Sequence, residues 1–326
     1  MKSCLSRLAL FALLSSSPGA FAVAAAPAAD FPTKPVRLVV PFPPGGATDN
    51  LGRMLAARMG TSLGQQVVVE NRPGAGGNIG AEVVAKAAPD GYTMLLTTST
   101  LASAPSIYPR LAFDPLKDFR AIGEVGRVPF VLVSPIDAPF TTFQAFLEQA
   151  RAQPGKLSYA SPGNGTPIHL YSELLQRRTG IELIHVPYKG GNQPKTDLLA
   201  GRISVMFESP VTALPSINAG QLRALATSRP LKMAPRIPTI AASGLSDFEP
   251  EVWYGLVAPA GSPDASVRRL SAALAQALAS SDVLQWMDAQ GATVAADPGA
   301  ERFQKILVDD VANWARIVKE SGAKID

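Results

Sequence analysis

Short apolar runs alternate along this chain with segments whose apolar residues return every three or four positions, the signature of strands and helices laid down in turn. The runs predict strands at residues 36–41, 66–70, 92–97, 126–134, 157–160, 182–187, 203–207, 222–227 and 253–258. Helical spacing is found at 49–59, 79–87, 142–152, 166–178, 194–200, 263–280, 283–289 and 300–321. In the first of these helices Leu51, Met54, Leu55 and Met59 share one face, Thr48 or Asp49 caps the start and Gly60 ends it. The fold class is therefore α/β. Two apolar stretches, 124–133 and 252–259, are long for this chain and lack a tight link to a following helix. If both cross between domains, one lobe holds residues 30–126 and 253–326 and the other 127–252, as a hinged clamp requires. One continuous domain with a long sheet is the alternative.

The beginning of the chain follows a different pattern. Lys2 and Arg7 precede an apolar run from Leu8 to Leu14, and Ala20-Phe21-Ala22 supplies small residues at a cleavage site. Residues 1–26 read as a secretory signal peptide of bacterial type, cleaved after Ala22 or Ala26 and too short to span a membrane. The periplasm is the expected destination. Cys4 is the only cysteine and precedes the apolar core of the leader, the wrong place for a lipid-attachment cysteine. The mature chain then has no thiol chemistry, disulfide or cysteine metal site. Losing Lys2 and Arg7 leaves 28 Lys and Arg against 26 Asp and Glu, which is no nucleic-acid footprint. No later stretch approaches the roughly 18 apolar residues of a membrane span.

Three glycine-rich turns stand out. Pro41-Phe42-Pro43-Pro44-Gly45-Gly46-Ala47-Thr48-Asp49 leaves a strand and enters a helix N-terminus, where unpaired amides and the helix dipole favour an anion. It lacks the Lys-Ser/Thr end of a phosphate-binding loop. Ser161-Pro162-Gly163-Asn164-Gly165 repeats the arrangement, with Thr166 as N-cap and Pro167 at the first helical position. The third, Pro73-Gly74-Ala75-Gly76-Gly77-Asn78, misses the dinucleotide fingerprint because Ile79 holds the place of the last glycine. Each turn read alone is equally well a plain strand-to-helix connection. Placed at the carboxyl ends of two sheets, the first two would face one another across a hinge.

Nearby side chains extend the candidate set. Tyr188, Lys189 and Gly190 end a strand and Asp197 follows on a short helix, with Lys189 either a cleft cation or a solvated surface lysine. Thr97, Thr98 and Ser99 end another strand and offer hydroxyls, or simply cap it. Hydrogen bonds to a charged group contribute roughly 1.5–3 kcal/mol each and association costs roughly 4–15 kcal/mol, so amides alone are marginal without a preorganised, closing site. An enzyme would need a nucleophile with a base, or a metal. Of the two histidines, His185 lies inside an apolar strand and His169 in the first turn of a helix, and no HExxH or GxSxG pattern is present. No catalytic residue, metal site or cofactor is assigned.

The strings VVPFPPGGATD, VVVENRPGAGGNIGAEVVAKAAPDGYTMLL, FDPLKDF, SPGNGTPIHL, VPYKGGNQPKTDLLAGRISVMF, ALPSINAGQLRALATS and WYGLVAPAGSP resemble the Bug family. These are the TctC-type extracytoplasmic solute receptors of tripartite tricarboxylate transport systems. The resemblance covers essentially all of the mature chain. It implies a two-lobed periplasmic binding protein of the type II, Venus-flytrap kind with two crossover strands, which is monomeric and closes on a small carboxylate: a di- or tricarboxylate, an amino acid or an aromatic acid. It implies membrane transporter subunits as partner, a membrane sensor being the alternative. The family's first loop falls on Phe42 to Asp49, with Ala47 and Asp49 near the ligand or its waters. The second falls on Ser161 to His169, chiefly Ser161, Gly163, Gly165, Thr166 and His169. Tyr188, Lys189 and Gly190 match VPYKG, and Asp197 matches the aspartate beyond it. Glu208 departs from the family, standing where many relatives have the shorter Asp.

Overall fold

Val36, Leu38, Val39 and Val40 are fully buried, so the first strand is covered on both faces, as a nearly unbroken apolar run in a parallel arrangement requires. The structure, a computed structural model, describes residues 31–188 and 193–321. The chain order is β1 (Val36–Val40), α1 (Ala47–Leu63), β2 (Val67–Asn71), α2 (Asn78–Ala85), β3 (Thr93–Thr98), α3 (Thr100–Ile107), β4 (Phe119–Pro129), β5 (Val131–Pro135) and α4 (Phe143–Ala152). It continues with β6 (Ser158–Ser161), α5 (Pro167–Thr179), β7 (Ile184–Pro187), α6 (Gln193–Leu199), β8 (Val205–Glu208), α7 (Pro210–Asn218) and β9 (Leu222–Thr227). β10 (Glu251–Pro259), α8 (Asp264–Leu278), α9 (Ser281–Ala289), β11 (Thr293–Val294) and α10 (Ala300–Ser321) complete it.

These strands form two sheets, ordered β11-β4-β10-β3-β1-β2 and β7-β6-β8-β5-β9. In the first, β1 runs parallel to β2 and β3, while β10 is antiparallel to β3 and β4. Alternate side chains go to opposite faces: Leu38 and Val40 pack with Leu51, Leu55 and Leu270, whereas Val39 packs with Val84, Leu101 and Phe303. In the second, β6 is parallel to β7 and β8, and β5 is antiparallel to β8 and β9.

The chain leaves the first sheet at Pro129 and enters the second at Val131. Phe130, between them, donates its amide to Ser228 Oγ at 2.8 Å and accepts from the Ser228 amide at 2.8 Å. Ser228 directly follows β9, so the outgoing connection is clipped to the end of that strand. β10 pairs with β4 along its whole length and starts at Glu251, opposite Pro129; before it, the segment after Ser228 stays with the second sheet, Ile240 donating its amide to Thr227 O at 2.8 Å and Arg178 on α5 donating to Asp247 O at 3.0 Å. A charged chain braces this junction: Arg127 pairs with Glu124 and Glu251 at 2.7 Å each, and Arg229 pairs with Glu251 at 3.0 Å and Glu249 at 2.9 Å.

α10 reaches both sheets' helices. Its half-buried Asp310 accepts from the indoles of Trp253 at 2.7 Å and Trp314 at 3.0 Å, and Trp314 lies 5.2 Å from the Tyr171 ring on α5. Helices α3 and α7 were not anticipated by the sequence pattern, because Pro105 and Pro215 sit inside them and read as breakers.

Candidate ligand-binding cleft

Because β1 and β3 are adjacent and parallel, α1 and α3 start side by side at one edge of the first sheet. β6 and β8 likewise bring the starts of α5 and α7 together at the carboxyl edge of the second. α/β sheets take their ligands at such edges. The loop after β6 reaches the last residue of α3: a Cβ built on Gly165 would clash with Ile107 Cγ2. On the first edge the third glycine turn joins in, since a Cβ on Gly77 would lie 3.6 Å from Pro41 Cβ and Thr100 Oγ1 and 3.7 Å from Phe42 Cζ.

In the first loop Gly45, Gly46 and Ala47 are exposed, Phe42 is half-buried, and Thr48 and Asp49 are buried. Gly45 holds φ at +82°, a left-handed conformation that favours glycine. Gly46 occupies the N-cap with no side-chain cap, and the Asn50 amide is the first to bond back, to Gly46 O at 2.9 Å. The amides of Ala47, Thr48 and Asp49 therefore have no intrahelical acceptor. Thr48 bonds the Tyr254 hydroxyl through its side chain. The Asp49 carboxylate is turned inward, accepting from the Gly45 amide (2.9 Å), Arg53 Nε (2.9 Å) and Asn71 Nδ2 (2.8 Å). Asn71 also donates to Phe42 O at 3.1 Å. Burial alone would raise the Asp49 carboxyl, but the bonds from Arg53, Gly45 and Asn71 hold it below the usual range. Asp49 thus shapes the loop, and the cation paired with it is Arg53, one turn along the helix. That pair has the ordinary i,i+4 spacing, a legible signal that the loop-centred reading passed over.

At the start of α3, Thr98 Oγ1 lies 2.9 Å from Thr100 Oγ1. Ser99 is 1% exposed, and its hydroxyl has no hydrogen-bond partner among the described residues.

In the second loop Gly163 (φ +149°) and Gly165 (φ +74°) make the turn, with a Cβ on Gly163 only 3.1 Å from Tyr188 O. Thr166 caps α5, accepting from the His169 amide at 3.5 Å and donating to Gly163 O at 2.8 Å. Replacing Thr166 by Ala is expected to lower stability by about 1 kcal/mol in a urea titration, the typical value of a cap. His169 Nδ1 accepts from the Gly165 amide at 3.0 Å, which requires an unprotonated nitrogen. Its ring stacks on His185 with centroids 4.2 Å apart, and His185 stacks on Tyr159 at 4.7 Å. His185 Nε2 lies 2.7 Å from Ser161 Oγ, and Ser161 is fully buried. Burial lowers the His169 imidazole, and burial together with His169 pushes His185 down to about 4.

Tyr188 and Asp197 form a clasp: the phenol donates to Asp197 Oδ2 at 2.7 Å, while Arg202 pairs with Oδ1 at 2.8 Å. Lys189 and Gly190 lie outside the described residues. Glu208, nearly buried, ends β8 and bonds Thr212 on α7. Lys195 on α6, absent from the sequence-based set, donates to Thr212 O at 2.5 Å.

The sequence pattern of the family described as "Tripartite tricarboxylate transporter family receptor" matches residues 51–323. The chain belongs to this family. BugT of Bordetella pertussis is 39% identical to it over 309 residues, covering 93% of this chain and 94% of BugT. Two solved structures of proteins from Rhodopseudomonas palustris are similar to it. One, with adipate, has a TM-score of 0.80 at 34% identity and covers 90% of this chain and 99% of that one. The other, MatC with bound malate, has a TM-score of 0.78 at 31% identity and covers 88% and 100%. The receptor fold is two-lobed, one lobe built on each sheet.

Proposed function

We propose that this protein is a periplasmic solute-binding receptor that captures a small carboxylate between its lobes and delivers it to a tripartite tricarboxylate-type membrane transporter. One observation carries the reading. Two strand-to-helix loops with glycine-exposed backbone stand at the carboxyl edges of separate sheets, the second touches Ile107 on α3, and the Arg53 cation beside the first is already paired with Asp49. The unpaired amides of Ala47 and Thr48 are donors for one carboxylate, and the unpartnered Ser99 hydroxyl is a further donor on the same lobe. That R. palustris relatives were solved with adipate and malate supports the same ligand class.

In this reading Phe42, Gly45, Gly46, Ala47, Thr48, Thr98 and Ser99 line the first lobe, formed by residues 30–126 and 253–326. Ser161, Gly163, Gly165, Thr166, His169, Tyr188, Lys189, Gly190 and Glu208 line the second, formed by 127–252. Asp49 and Asp197 act by holding Gly45 and Tyr188 in place. Residues 1–26 direct export, and no described helix is long and apolar enough to cross a membrane. The bound acid is carried unchanged, and the receptor works as a monomer.

A thermal-shift screen of the mature chain against mono-, di- and tricarboxylic and aromatic acids tests this. An acid at a hundred times its Kd is expected to stabilise by about 2.7 kcal/mol, a clear rise in Tm. A response to sugars or cations with every acid silent would contradict it.

A further inference from the structure

The second lobe carries a carboxyl that carboxylate capture does not by itself explain. Glu208 ends β8 at the same sheet edge as Ser161 and Tyr188, since β6 runs parallel to both β7 and β8. It is 8% exposed, and its Oε2 is bonded to the Thr212 hydroxyl at the start of α7. That hydroxyl also lies 2.8 Å from Ser209 Oγ and 2.9 Å from Ser209 O, so its single proton has two acceptors. Among the described residues no Lys or Arg forms an ion pair with Glu208. The charge facing it is Lys195 on α6, whose ammonium is bonded to Thr212 O instead. From β5, the strand paired with β8, Val131 lies opposite and brings no charge.

A buried carboxylate without an ion-pair partner among the described residues and an incoming ligand carboxylate repel one another at short range unless one of them carries a proton. We propose that Glu208 takes up a proton as a carboxylate closes into the cleft and donates it as a hydrogen bond to a ligand oxygen. The proton comes from bulk water, the new O–H bond forms on the Glu208 carboxyl, and no other bond is made or broken. The inference rests on the carboxylate reading above. Burial already raises the Glu208 carboxyl above its usual range, with Thr212 and Lys195 opposing, so part of the protonation is prepared before the ligand arrives. Carboxylic acid to carboxylate bonds are charge-assisted and short, which makes this contact one that a plain hydroxyl ligand does not earn. Capture is then favoured at lower pH and release at higher pH.

Calorimetric titration with succinate, adipate and malate tests it, between pH 6.5 and 8.5 where these acids are ionised, in two buffers of different ionisation enthalpy. The expected result is uptake of up to about one proton per ligand and an affinity falling by up to about tenfold per pH unit. Glu208→Gln, which always has a donor, is expected to bind with no such slope and no uptake. Binding by the wild-type chain without proton uptake would overturn the inference. So would a loss of more than tenfold in Glu208→Gln at every pH, because Glu208 would then be accepting a hydrogen bond from the ligand. Failure of the wild-type chain to bind any of a wider panel of acids overturns the carboxylate reading itself, an outcome distinct from binding without uptake.

Discussion

Replacing Gly165 by valine is expected to weaken carboxylate binding by roughly 5- to 150-fold and to lower stability besides. The two effects have separate causes. With φ at +74°, a β-branched residue costs about 1–2 kcal/mol whether or not ligand is present, and this falls on stability. The new side chain also runs into Ile107 at the end of α3, and overpacking of this kind costs about 1–3 kcal/mol. In the proposed clamp that second term opposes closure over the ligand, so it is expected to fall on affinity. Removing the obstacle should recover it: in a Gly165→Val, Ile107→Ala double variant the affinity loss shrinks while the backbone strain persists. Urea titration reads the first quantity and calorimetry with a binding acid reads the second. Equal affinity in the single variant and the wild type would mean that Gly165 and Ile107 do not meet in the liganded state.

The histidine stack under the same loop predicts a pH dependence of stability. His185 is held at about 4 in the fold against 6.5 in a free chain, burial being the main cause and the neighbouring His169 the second. The unfolded chain therefore takes up a proton before the folded one does. The neutral pair's contribution is complete above pH 6.5 and is lost as pH falls toward 4, by about 2–3 kcal/mol after allowing for water at the strand edge. The groups facing the stack are Tyr159, which covers His185, Ser161, bonded to its Nε2, and Glu173, whose charge acts on His169. Protonating His169 would also remove the acceptor of the Gly165 amide, so the loop loosens as the stack fails. Comparing ΔG of unfolding at pH 7.5 and 4.5 in the wild type and His185→Asn isolates the effect, because the carboxylates titrate alike in both. Equal pH slopes would refute it.

Much of this architecture is written in local sequence. β1 and β3 are legible because their apolar runs are buried on both faces, and the loops after β1 and β6 because Gly and Pro stand between a strand and a helix. What escaped has physical reasons. α3 and α7 contain Pro105 and Pro215, yet they form two of the four helix starts at the cleft. β4 extends before its predicted start at residue 126, and Gly123 and Gly126 both lie inside it. Both permit close approach, Gly123 to Pro298 and Gly126 to Thr293. The candidate residues were legible as positions but not as roles. Whether Asp49 meets a ligand or folds back on Gly45, and whether His169 is a donor or an acceptor, depends on partners that only the assembled sheets bring near.

A crystal structure of the mature chain grown with an acid that raises its Tm tests the central claim most directly. The account predicts one ligand per chain, with a carboxylate against the amides of Ala47 and Thr48 and its opposite side closed over by the 161–165 loop. An acid seated elsewhere, for instance in the groove lined by Leu231, Met233, Leu284 and Met287, with the two loops untouched, would contradict it.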